Sequence, residues 1–426
     1  MGSGEATHCY STGAVSGNDY VGGLVGSGAA THCYSTGAVS GASSVGGLIG
    51  SGSATACIWD IETSGLLGSD GGVGLNTSEM KDLYMLGLNG FANDPNWILD
   101  AGRDYPRLAW EGTPGQIIPE AGVDWMQRDG TAGGAHRIDT ADQLILLGKA
   151  SVLWDRYFVL GADIDLDPNL LGRQVFAQAV IPAFKGVFDG NDHTISHLTI
   201  NGGGYLGLFG TLNWGAKVRN LRIVDVNITG SGDYIGGLAG DNGDSIANCC
   251  SNGLVSGTGR YVGGLVGRNR EEASVADCYS TGAVSGGSYV GGLVGSNSGS
   301  IATSYSRALV SGDGHVAGLV GYHWYGRITA SYSSGSVSGG GSPVGGLVGS
   351  GSGRNVSSSF WDIQTSGQAT SAGGTGKTTA QMQTAKTFLD AGWDFMGEMA
   401  NGPEDIWWIL EGKDYPHLWW ELIPEN

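Results

Sequence analysis

Nowhere in these 426 residues do about 18 apolar side chains follow one another, so the sequence offers no helix able to cross a bilayer. Basic residues are scarce as well: 21 lysines and arginines stand against 40 acids, a formal charge of -19 that disfavours nucleic acid and anionic membrane as partners. Proline is rare at 10 residues, and the 80 glycines keep no three-residue period, which excludes collagen. With 40% hydrophobic residues the chain is not plain disorder either. The first residues lack a positively charged segment followed by an apolar one, so no signal peptide is read, and a mature or truncated piece of something longer is expected.

The six cysteines show no C-x-x-C spacing of the kind that gathers a metal. Cys9, Cys33 and Cys57 are 24 residues apart, Cys250 and Cys278 are 28 apart, and Ser304 and Ser331 follow at the equivalent place. One thiol per repeat, exchangeable with serine, reads as a small packed ladder. A disulfide between neighbouring rungs is the alternative. No metal and no cofactor are expected.

What is abundant is one phrase, Gly-Gly-Leu-Val-Gly, found with small variations from Gly22, Gly46, Gly236, Gly263, Gly291, Ala317 and Gly345. The step is 24 in the first pair and 26 to 28 in the later run, which marks a repeat architecture. Each repeat holds short runs of valine, leucine and tyrosine bounded by glycine and serine, as strands between turns do. Such a unit cannot bury a face alone and must stack, one repeat per coil of a parallel β-solenoid, with coils about 4.8 Å apart. An all-β fold follows. Glycine is expected to make the corners, where positive φ is needed. Leu24, Leu48, Leu238, Leu265, Leu293, Leu319 and Leu347 are the expected inward ladder. The facing of the Cys-Tyr-Ser strand stays open: alternation groups Ile301 with Tyr305 and sets Ser304 opposite, unless a bulge or corner intervenes.

Residues 58–111 break the rhythm with Trp59-Asp60-Ile61, a helix expected from Thr77 or Ser78 to about Leu86, Trp97-Ile98-Leu99 and Tyr105-Pro106-Arg107-Leu108. The series returns as Trp361-Asp362-Ile363, a helix near 379–389, Trp408-Ile409-Leu410 and Tyr415-Pro416-His417-Leu418. An end coil leaves unpaired strand edges that need covering, so both segments read as small helical, aromatic-rich caps. Residues 1–113 are then the C-terminal part of a module and 114–135 a linker. Residues 136–426 are a complete module: N-cap 136–200 opening on a helix from Thr140-Ala141-Asp142-Gln143, coils 201–357 and C-cap 358–426. Ile117-Ile118-Pro119-Glu120 recurs as Ile423-Pro424-Glu425, as though a further module would follow.

The Gly-Gly-Leu-Val-Gly units preceded by Cys-Tyr-Ser-Thr-Gly resemble the GLUG repeat of bacterial surface and secreted proteins. Asp163-Ile164-Asp165-Leu166 and the stretch from Phe188 to Ile195 look like the opening of such modules. The resemblance implies a right-handed parallel β-helix, an extracellular or cell-surface location and a structural or adhesive role, and it carries over no catalytic residue.

Chemistry is sparse. Ser371 to Thr378 ends in Gly-Lys-Thr, but a P-loop needs glycine where Ser371 stands. Asp163, Asp165 and Asp167 alternate like a calcium loop, yet Pro168 takes the place of the turn glycine, so a solvated acidic edge is expected. Asp225, Asp241, Asp244 and Asp277 are scattered, and no nucleophile elbow exists, so no enzyme is read here; a β-helix polysaccharide-processing enzyme would need two acids across a cleft. Arg268-Asn269-Arg270-Glu271-Glu272 reads as a solvated loop. Tyr322-His323-Trp324-Tyr325 puts aromatics in a turn that elsewhere carries serine or asparagine, and is the candidate surface for glycans or neighbouring proteins. The other candidate is the first coil, with Cys9, Tyr10, Val15, Val21 and Leu24 as an edge for head-to-tail self-assembly into a filament.

Overall fold

In a computed structural model the residues described are 3–119, 130–171, 173–341, 343–351, 355–397 and 400–422; positions 120–129 of the expected linker and Ile423 to Glu425 lie outside them. The chain is a parallel β-solenoid. Its residues form two compact units, one of 1–137, 142–157 and 181–183, the other of 138–141, 158–180 and 184–426.

Each coil pairs with the next in register, so that like lies on like. In the second unit the strands from Val266, Val294, Val320 and Val348 follow one another. Tyr279 pairs with Tyr305, Tyr305 with Tyr332, and Tyr332 with Phe360. In the first unit Val25–Thr31 lies between Ser3–Thr7 and Ile49–Thr55. The motif leucines line the interior, Leu24 at 8% exposure and the other six at 0%.

The corner in Ile301 to Tyr305 falls at Thr303, whose φ is 43°. That single left-handed residue lets Ile301, Ser304 and Tyr305 all be buried. The same corner is made by His8, His32, Ala56, Asn248, Asp277, Ala330 and Ser358, with φ between 45° and 52°. Glycine takes a positive φ elsewhere in the coils, at Gly4, Gly28, Gly52, Gly253 and Gly282, but the motif glycines do not serve the corner role expected of them. The glycines of the seven regular motif copies have no positive φ; they are needed for close approach. A Cβ on Gly264 would sit 2.2 Å from the Gly292 oxygen of the next coil, and one on Gly263 would sit 2.1 Å from the Val266 oxygen.

The small-residue ladder follows that corner, with one correction. Its member is Cys249, not Cys250: the Cys249 N–H donates to Cys278 Sγ at 3.4 Å, whereas Cys250 pairs with Tyr279. The Arg270-Glu271-Glu272 turn lengthens this coil, so a 28-residue count lands on the wrong member of the Cys-Cys pair. Cysteine and serine interchange because both do the same two things. The thiol of Cys278 donates to the Ala276 carbonyl at 3.0 Å and the hydroxyl of Ser304 to the Ala302 carbonyl at 2.6 Å, while each accepts an N–H from the preceding coil. All six thiols are free.

The caps repeat one design. Asp60 is fully buried and caps the turn Ile61–Ser64 through the N–H groups of Glu62 and Thr63, while its other oxygen accepts from Thr77 and from Tyr105 at 2.7 Å. Asp362 does the same for Ile363–Ser366, with Tyr415 at 2.7 Å. The expected helix after Thr77 is split into Glu79–Lys81 and Leu83–Leu86, and that near 379–389 into Thr379–Met382 and Ala385–Leu389. The counterpart of Trp97 is Trp407 rather than Trp408: Trp97 pairs with Leu108 as Trp407 pairs with Leu418, and both indoles are fully buried. Trp407 and Trp408 are adjacent, and spacing in the sequence does not separate the two registers. The helix Ala141–Lys149 and the turn after it supply Leu146, Ala150, Leu153 and Trp154 to the apolar cluster under the first cap.

Candidate functional site

The site grows from the motif's flanks in the second unit. Tyr205, Tyr234, Tyr261, Tyr289 and His315 each stand directly before the leucine, isoleucine or valine that leads into the motif or its degenerate form, all at φ between 53° and 67°. A bulky residue at positive φ is uncommon and strained. Here it recurs because the left-handed corner throws each ring onto the one before it, with centroids 4.7 to 5.1 Å apart. Stacking of this kind contributes about 0.5–1.5 kcal/mol per pair and offsets much of the strain. The row runs on through Tyr322, 5.1 Å from Tyr289, to Trp324 and Tyr325.

Beside its end lies a shallow recess of about 490 Å³ lined by Arg268, Arg270, Glu271, Ser298, Trp324 and Tyr325. Its floor is an ion-pair cluster. Asp241 is fully buried and holds both arginines, Arg268 through Nε at 2.9 Å and a second nitrogen at 2.5 Å, Arg270 through Nε at 3.0 Å and a second nitrogen at 2.7 Å. Arg268 also lies over the Tyr234 ring at 4.5 Å. Burial works against the charge on Arg268, yet the bonds and field of Asp241, with Tyr234 and Tyr205 beside it, raise its pKa above the usual arginine value. The third nitrogen of Arg268 lies 3.3 Å from the Tyr234 hydroxyl, and a planar guanidinium held in this way loses little freedom on meeting a further acceptor.

The four residues read as a candidate surface part company. Trp324 is 48% and Tyr325 74% exposed, Tyr322 is half-buried, and His323 points inward at 0%. His323 ends a buried amide ladder in which Asn242 donates to Asn269 and Asn269 to Asn297, each at 2.8 Å, with Asn297 3.2 Å from His323 Nδ1. Burial lowers its pKa, so it packs as a neutral ring. Arg268 and Arg270, read as a solvated loop, are instead the polar half of the recess; the signal was Asp241, one coil earlier at the position paired with Arg268. Of the edge residues, Cys9, Tyr10 and Val15 are half-buried and Val21 and Leu24 buried.

The remaining motifs resolve into packing. Thr375–Lys377 is a strand beside Phe360–Asp362, with Lys377 over the Phe360 ring at 5.4 Å. Asp163 and Asp165 do not converge: Asp163 lies 3.1 Å from His193 and Asp165 2.8 Å from His197.

Fold and site together define a β-solenoid repeat protein with a built polar recess framed by aromatic rings. Residues 258–285 match the family model of the GLUG motif, so at least one coil of the chain carries that repeat. It is 32% identical over 157 residues to a protein of Evansella cellulosilytica provisionally named Gly-rich membrane protein, covering 35% of this chain and 14% of that one. It is 30% identical over 137 residues to halomucin of Haloquadratum walsbyi, covering 30% of this chain and 2% of that one. The chain thus spans a small fraction of these relatives. A crystal structure from Bacteroides ovatus, provisionally described as an immunoglobulin A1 protease, superposes with a TM-score of 0.51 at 22% identity, over 68% of this chain and 94% of that one, which shows the shared fold. No helix among the described residues is long and apolar enough to cross a membrane.

Proposed function

We propose that the chain is part of an extracellular or cell-surface repeat protein whose coils are a scaffold and whose recess at Trp324 and Tyr325 binds a saccharide. The observation that carries this is the pairing of two exposed aromatic faces with two arginines held on a buried aspartate. Sugars present apolar C–H faces to rings and hydroxyls to fixed donors, and Glu271 and Ser298 add acceptors. The names of the relatives, a membrane protein and a halomucin, support a surface setting. The reading is of binding rather than catalysis, since Asp241 is engaged by two guanidiniums and is not free to act as an acid or base. Trp324→Ala is expected to abolish binding on a glycan array while leaving the melting temperature unchanged; undiminished binding would rule the recess out.

Head-to-tail association is a second reading, favoured by the outer strand Ser3–Thr7, whose partner among the described residues is Val25–Thr31 on one side. A second copy, or further coils of a longer parent chain, would continue that ladder.

A further inference from the structure

We propose that His8, His32 and Asp94 form a binding site for a divalent transition-metal ion of the zinc class. The two histidines occupy the left-handed corner of consecutive coils, with φ of 47° and 50°, so their rings leave the stack side by side, 5.2 Å apart and inclined by 19°. The first cap brings Asp94 up to both. Its Oδ2 lies 2.8 Å from His8 Nε2 and 4.0 Å from His32 Nδ1, and one donor atom from each of the three residues falls within 4.8 Å of the others. Donors around a tetrahedral zinc sit about 3.3 Å from one another, so rotation of the side chains by roughly 1 Å closes the set.

Three features separate this cluster from a chance meeting of polar groups. Asp94 is oriented by Asn96, since its Oδ1 accepts the Asn96 N–H at 2.9 Å and the Asn96 side-chain amide at 2.8 Å, leaving Oδ2 for the histidines; the same amide nitrogen lies 3.3 Å from His8 Nε2 and would yield that lone pair to the ion. Such outer support is characteristic of metal-ligating carboxylates. The donor set, two imidazoles and one carboxylate, suits zinc, cobalt, nickel or copper and is wrong for calcium and magnesium, which take oxygen alone. And the fold does not require imidazole here: in the second unit the same corner is made by Asn248, Asp277, Thr303 and Ala330. The groups are accessible, with His8 and His32 side chains 31% and 32% exposed, and three protein ligands leave a position for water or a ligand from outside. A bound ion would tie two coils to the cap.

The test titrates the full chain, carrying Cys9→Ser to remove the one cysteine that is not buried, which adjoins His8, with zinc by calorimetry and with cobalt by visible absorption. Saturable binding of one equivalent is expected, without a thiolate-to-cobalt charge-transfer band and without competition from calcium or magnesium. The double variant His8→Asn, His32→Asn keeps a residue type that the corner already uses at Asn248; it should melt as the parent does in chelator and lose at least tenfold in affinity, and Asn96→Ala should weaken binding by about tenfold. Absence of saturable binding, a charge-transfer band, or full affinity in the double variant overturns the proposal.

Discussion

At the scale of single residues the solenoid discriminates by shape more than by polarity. Cys278→Ser should change stability by less than about 1 kcal/mol, because serine makes the same pair of hydrogen bonds at Ser304, whereas Cys278→Val removes both and should cost about 1–3 kcal/mol. Gly264→Ala should cost more than either, since its methyl meets the Gly292 oxygen, which the ladder cannot move without releasing two coils. Denaturant unfolding of the three variants orders them. The leucine, the motif glycines and, except at Cys249, the small ladder residue are legible in the sequence because repetition prints each of them several times. The reason for the glycines is not: crowding between coils depends on where the neighbouring backbone runs, and composition says nothing of that. His323 shows the same gap, since the alternation that turns it inward beside Asn297 is set by its coil and not by its neighbours Tyr322 and Trp324.

At the scale of elements, the caps depend on one buried carboxylate each. Burial alone would push the Asp60 carboxyl up, but hydrogen bonds from Tyr105, Thr77, Thr63 and Glu62 outweigh it and hold its pKa below the usual aspartate value. The sign follows: the stability it contributes is fully present above the unfolded value of about 3.9 and is lost as pH falls through the lower folded value. Tyr105 behaves in the opposite sense. Burial first, then the neighbouring Asp60, push its hydroxyl up to about 12, so its contribution is present below about pH 10 and fades as pH rises towards 12. Asp60→Asn is expected to lower the melting temperature at pH 7, to flatten its fall in acid, and to bring alkaline loosening closer to the ordinary tyrosine range; a melting-temperature profile against pH checks all three. The caps could be recognised from sequence because the two copies match over dozens of residues. Their helices could not be bounded, since a turn of four residues leaves no periodic signature.

At the scale of the molecule, the formal charge of -19 opposes association of one chain with another. If the outer strand does recruit a second copy, light scattering should therefore show association that grows with protein concentration and with salt, as the screening length falls from roughly 30 Å at 0.01 M to 3 Å at 1 M. A constant monomer mass across that range would remove head-to-tail stacking. The recess was only half visible beforehand. Trp324 and Tyr325 stood out against bland neighbours, but the arginines were lost in a charged run because their anchor, Asp241, lies 27 positions from Arg268 in sequence and directly beneath it in the stack.

Like-on-like pairing also sets how such a body answers to being pulled. The strands run across the stack, so tension along its axis loads one rung of hydrogen bonds at a time and peels coils off in succession rather than shearing the whole array. Each coil released turns about 4.8 Å of stacked height into a tether of roughly 3.3–3.6 Å per residue. With 27 residues between successive rungs such as Ala239 and Val266, a stalk built this way lengthens nearly twentyfold wherever it yields, and it re-forms coil by coil once the load is gone.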